Sequence, residues 1–180
     1  MTSEEVPATI DRPPVLSTAR PPEDEPADEI ATLRGWMTHL RGSCARKLDG
    51  LTAEQLRWRP APTANSIGGI VQHLAYCERW WFRIVFAAED LPLDFKDDGM
   101  RPSFTLAPDA TAESVRAFYE SECEAADAAI EGAGLDDWSH STLGRRATLR
   151  WILTHMVEET ARHAGHLDIT RELIDGRRGR

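Results

Sequence analysis

LRWILTHMVEETARHAGHLDITRELIDG, residues 149–176, decides how this chain folds. Leu149, Leu153, Met156, Thr160, Ala164, Leu167 and Ile174 recur at helical steps and mark one stripe, which is the pattern of a helix with one buried side. The spacing predicts a helix over residues 148–175, stopped by Gly176. Each helical residue advances about 100°, so Glu159 and His163, four apart, stand about 40° from one another and one turn apart. Both lie on one shoulder of the apolar stripe. His155 and His166 fall slightly farther round the same shoulder, and Glu158 points to solvent. A lone Glu-x₃-His pair is also what a solvated helix face shows, so a metal site needs a donor from elsewhere in the chain.

Three more helical blocks precede it. Residues 27–48 carry Ile30, Leu33, Trp36, Met37, Leu40, Cys44 and Leu48 at three- and four-residue steps. The connection after them contains TAEQ, residues 52–55, a capping box for a short helical turn. Residues 66–88 place Ile67, Ile70, Val71, Leu74, Cys77, Trp81, Ile84 and Val85 on one stripe, with Ser66 as N-cap. A connection rich in Pro, Asp and Gly covers residues 89–108; its length suits a crossover or a flap over a pocket. The block over residues 111–130 buries Val115, Phe118, Tyr119, Cys123 or Glu122, Ala126 and Ile130, and GAG ends it. Its opening TAES fits the Thr/Ser-x-x-Glu pattern less well, because Glu113 comes one residue early. With no strand-like alternation of useful length, the chain reads as all-α: a four-helix bundle with one long connection between helices 2 and 3.

Residues 1–26 hold six of the eleven prolines and many acids, which reads as a flexible extension ahead of a bundle domain over residues 27–180. The net charge of -9 leaves no basic face for phosphates, so a nucleic-acid partner is not expected. Three widely spaced cysteines, Cys44, Cys77 and Cys123, offer neither a disulfide framework nor a C-x-x-C motif. With no signal-peptide pattern and no apolar run that spans a bilayer, a cytoplasmic protein without a membrane partner is expected.

On the second block His73 lies about 60° to one side of Ile70, with Cys77 one turn on and Trp80 two turns on along the same edge. Were the second and fourth helices to face each other, His73, Glu159 and His163 would form a His₂Glu set that leaves positions open on a divalent ion. Cys77 is a further candidate sulfur ligand, though its place also suits a small core residue.

SIGGIVQHLAYCERWWF, residues 66–82, together with residues 149–176, resembles the DinB-like (DinB/YfiT) four-helix metalloprotein superfamily. The likeness spans about residues 27–176 and is greatest to the actinobacterial branch of unknown function related to mycothiol-dependent maleylpyruvate isomerase. It implies that His73 and His163 hold a metal, with Glu159 standing where many relatives carry histidine and the maleylpyruvate isomerase branch carries glutamate. Two imidazoles and a carboxylate suit zinc first, and also Ni, Fe or Mn.

The resemblance also implies a metal-dependent S-transferase or isomerase of detoxification type. It would use a low-molecular-weight thiol such as mycothiol as co-substrate with an electrophile, and work as a homodimer. In that reading His166 and His155 are the candidate proton acceptors or ligand orienters. Trp80, with Trp81 and Trp151, walls the cavity, although tryptophans at helical spacing also serve core packing. Arg162 is placed to meet an anionic substrate, or else to pair with Glu158 four residues earlier. The alternative is a non-catalytic DinB-like stress protein that binds a metal or small ligand. A ferritin-like di-iron site is excluded, since it needs two Glu-x-x-His motifs and the chain has none in that spacing.

Overall fold

The long helix of residues 148–175 is present as α5, Leu149–Asp175. Thr148 opens it, its Oγ1 accepting from the Trp151 N–H at 3.3 Å. Gly176 closes it at a φ of 75°, a left-handed conformation that costs glycine little. The computed structural model describes residues 18–21, 23, 27–62, 64–92, 101–141 and 143–178. The flexible extension expected over residues 1–26 lies for the most part outside them.

The other helices are α1 (Glu29–Arg46), the short α2 (Ala53–Arg57), α3 (Ile67–Glu78) and α4 (Ala112–Ala129). Ser66 caps α3 by accepting from the Gly69 N–H at 3.1 Å, and Thr52 with Gln55 forms the expected box on α2. On α4 the box forms with Ser114 instead of a glutamate. Its Oγ accepts from the Thr111 N–H at 2.9 Å while Thr111 Oγ1 accepts from the Ser114 N–H at 3.1 Å. A hydroxyl at the third helical position therefore does what the misplaced Glu113 cannot.

The helix expected over residues 66–88 changes winding part-way. From Arg79 to Phe86 it is a π-helix, with i→i+5 bonding and a smaller rotation per residue than an α-helix has. Positions beyond Glu78 therefore depart from the azimuths that 100° steps assign.

α1 packs against α5, and α3 against α4, closing the bundle around two apolar clusters. One gathers Cys44, Leu48, Leu56, Ile67, Leu74 and Tyr119 with Leu167 of α5. The other gathers Met37, Trp81, Phe82, Ile130, Leu153 and Met156. On α3 the first cluster ends at Ala75 and the second begins at Cys77; on α5 the second ends at Met156 and the first resumes at Leu167. The seam between them crosses residues 73–77 and 156–167, where the candidate ligands lie. No helix among the described residues is long and apolar enough to cross a membrane.

Charge is also buried in this frame. Arg41 of α1, 2% exposed, reaches both oxygens of Glu78 at 2.8 and 2.7 Å, and Asp127 at 2.8 Å. Glu122 of α4 accepts from Arg79 at 2.6 Å and Arg83 at 2.9 Å, both on the π segment. Arg171, buried on α5, donates to the Lys47 and Asp49 carbonyls at 2.8 Å each, satisfying acceptors just beyond the end of α1.

Candidate metal centre

α3 and α5 do face one another, and the seam brings His73, Cys77, Glu159 and His163 together. Glu159 Oε1 is their shared corner: His73 Nε2 lies 3.4 Å from it and His163 Nε2 3.2 Å. Cys77 Sγ is 3.4 Å from His73 Nε2, and His73, Cys77 and Glu159 each offer a donor atom within 4.8 Å of the others. His73, Cys77 and His163 are buried and Glu159 is half-buried.

These separations are long for charge-assisted hydrogen bonds, which run about 2.7–2.9 Å. They are also close to the separations that donors of one ion keep. A tetrahedral ion with bonds of about 2.0–2.3 Å keeps its donor atoms roughly 3.3–3.8 Å apart. Nitrogen, carboxylate oxygen and sulfur are also the donor types that a divalent transition metal takes, so the residues fit the group.

The protonation states suit that role. Hydrogen bonds from the His163 and His73 imidazoles, with the Arg162 guanidinium nearby, hold the Glu159 carboxyl far below the usual carboxylate range. Burial lowers the pKa of His73, keeping its ring neutral near pH 7. Burial, with Glu159 and Glu78 beside it, pushes the Cys77 thiol up.

The long connection supplies what helix spacing did not reveal. A 3₁₀ turn, Arg101–Phe104, lies over α3. Ser103 Oγ sits 2.7 Å from His73 Nδ1, and Phe104 stacks on the imidazole at 4.0 Å between ring centres, 18° from parallel. Were an ion bound, a proton on Nδ1 donated to Ser103 would leave the Nε2 lone pair for it. Gln72 Nε2 ties the turn down by donating to the Ser103 and Thr105 carbonyls at 2.6 and 3.0 Å. Gly69 permits the approach, for a Cβ there would meet the Phe104 carbonyl oxygen at 2.5 Å. The described end of this connection thus covers His73.

The remaining sequence-derived residues take distinct places. Exposed His166 meets the His163 ring edge-on at 5.6 Å. Half-buried His155 stacks on Trp151 at 5.1 Å and meets Trp81 edge-on at 4.9 Å. Trp80 is half-buried against the second apolar cluster, while Trp81 faces α5. Arg162 pairs with Glu158, as the i,i+4 spacing predicts, and also reaches Glu159 Oε2 at 3.3 Å.

Residues 32–176 match the family model described as Mycothiol-S-transferase. The chain belongs to the mycothiol-S-transferase family. That bears out the DinB-like resemblance read from the two helical stretches. A conserved protein from Enterococcus faecalis shares the fold, with a TM-score of 0.50 and 16% identity over 84% of this chain and 100% of that one. No curated protein matches the chain. In this mycothiol-S-transferase family member the matched region takes in every donor of the α3–α5 cluster and the 101–104 cover.

Proposed function

We propose that the chain is a metal-dependent thiol S-transferase in which His73, Glu159 and His163 hold a divalent ion, zinc by preference of the donor set, with mycothiol as the thiol. The observation that carries this is Glu159 Oε1 standing between two imidazole nitrogens at 3.4 and 3.2 Å on facing helices, in a chain of the mycothiol-S-transferase family. When bound, such an ion lowers the pKa of a thiol presented to it and so supplies a thiolate near neutral pH.

The chain's own groups do the rest. Ser103 and Phe104 fix the His73 ring and keep water off its face. Arg162 holds the second oxygen of Glu159, leaving the first for the cluster. His166, exposed beside His163, takes the proton of the incoming thiol and passes it to solvent. The sulfur then forms a new S–C bond at the electrophilic carbon, whose leaving group departs with the bonding pair. In a conjugated acceptor the proton returns to the adjacent carbon instead. The chain's own sulfurs are poor candidates for the nucleophile, since Cys44, Cys77 and Cys123 are all buried and burial pushes their pKa values up. The reacting sulfur comes from outside.

Detoxification of electrophiles, a reducing cytoplasmic setting and a homodimer belong to the same reading. The three unpaired cysteines support the setting. Ile169 and Leu173, one turn apart on α5 and 62% and 59% exposed, support the dimer. Sedimentation at micromolar concentration checks the dimer.

A second reading has its own observation. The donor atoms that lie within 4.8 Å of one another are those of His73, Cys77 and Glu159, a group without His163. Were all four residues to ligate, the shell would close as in structural zinc sites and the chain would be a non-catalytic metal-binding protein. Mycothiol paired with a panel of electrophiles decides between them. The transferase reading expects conjugation that stops on chelation and returns with zinc. No metal-dependent acceleration with any pair would favour the closed site.

A further inference from the structure

Two turns along α5 from Glu159, at the N-terminal end of the helix, Trp81, Trp138, Trp151, Arg145, Arg146 and Thr148 line a cavity of about 390 Å³. That is within the size range of small-molecule sites. Trp138 and Trp151 are 49% and 50% exposed, an arrangement that leaves two large indole faces in water. The Arg145 guanidinium stands 5.5 Å from the Trp81 ring centre and that of Arg146 stands 4.5 Å from the Trp138 ring centre. A guanidinium on an indole face is attracted by the ring while its N–H edge stays free for a carboxylate or sulfonate.

Among the described residues neither guanidinium has a carboxylate partner. The adjacent acids are engaged elsewhere: Asp136 pairs with Arg150 at 3.1 Å, and Asp137 Oδ2 accepts from the Gly134 N–H at 2.8 Å. The amides at the start of α5 are also taken. Leu149 and Arg150 donate to the Asp137 and Leu135 carbonyls at 2.9 Å each, and Trp151 donates to Thr148 Oγ1. The helix end therefore adds a favourable field for an anion but no free donor, and recognition falls to the two arginines.

We propose that this pocket binds the planar, anionic part of the electrophilic co-substrate: an aromatic carboxylate or sulfonate stacked on the indoles, with its charge on Arg145 and Arg146. The inference deepens the transferase reading and rests on it for what the bound molecule does. Packed side chains lie between the two places. Trp81 and Trp151 both touch His155, and Glu159 is one turn farther along α5. Trp151 to Glu159 is roughly 12 Å of helix, so the favoured electrophile is elongated, with its charged end and reacting carbon about that far apart.

Calorimetry with naphthalene-2-sulfonate at physiological salt tests the binding without any turnover, beside neutral 2-naphthalenemethanol and methyl β-glucoside. The proposal expects saturable binding of the sulfonate in preference to both. Binding should weaken at least tenfold in the Arg145→Gln/Arg146→Gln double variant and in Trp151→Ala. Arg178→Gln, just past the opposite end of α5, should bind the sulfonate unchanged. The proposal is overturned if the sulfonate does not saturate, if the double variant binds it as well as the parent, or if the glucoside is preferred. Since calorimetry reads the pocket alone, sulfonate binding to a chain without metal capacity would end the transferase reading and leave the pocket standing. A chain that holds metal but does not bind the sulfonate would do the reverse.

Discussion

Glu159 is the residue on which the site turns. One oxygen faces two imidazoles and the other faces Arg162, so the carboxylate is fixed in its charged form and aimed at the seam. If His73, Glu159 and His163 are the ligands, His73→Ala should lose the metal while Cys77→Ala keeps it; equal loss in both would make the sulfur a ligand. Ser103 acts through the ring it holds. Its removal in Ser103→Ala should weaken zinc affinity by about tenfold, the lower end of what lost ligand-orienting bonds cost, as read by competition with a chelating dye. Unchanged affinity would leave Ser103 with a packing role only. At the other sulfurs, burial pushes Cys44 up to about 12, so an aromatic disulfide reagent should leave the folded chain's thiols unmodified and titrate all three only in denaturant.

At the scale of the elements, the four main helices were legible because each repeats apolar residues at helical steps and carries its own stop signals. The Ser66 cap, the Thr52 box and the Gly176 stop were readable from local chemistry alone. Legible too were the border positions of His73, Glu159 and His163 on their apolar stripes, although no periodicity says that the two helices face one another. What helix spacing could not show depends on contacts between distant segments. Ser103 lies thirty residues from His73 on irregular chain, and no periodicity points one at the other. The π winding of Arg79–Phe86 leaves the composition of the segment unchanged, so the pattern of apolar residues gives no sign of it. Arg41 sat on a stripe position where an apolar residue is the ordinary choice, and its buried partner Glu78 belongs to another helix. Breaking that pair in Arg41→Ala strands a buried carboxylate and should cost about 3–5 kcal/mol of unfolding free energy in urea titration. Replacing both in Arg41→Met/Glu78→Met should cost far less. A single-variant loss below about 1 kcal/mol would show that the pair is solvated in practice.

Taken whole, the molecule is two apolar clusters with its polar chemistry at their junction. That placement lets rigid helices hold the donor set, while the 101–104 cover and Trp138, Arg145 and Arg146 of the pocket sit on connections between helices. The account stands on α3 and α5 closing around a cation, and metal content reads that most directly. Elemental analysis of the full chain, purified from metal-replete culture without chelators, should find about one divalent ion per chain. That ion should be absent from a correctly folded His163→Ala variant. A folded parent free of metal, or a variant that holds as much as its parent, would contradict the account.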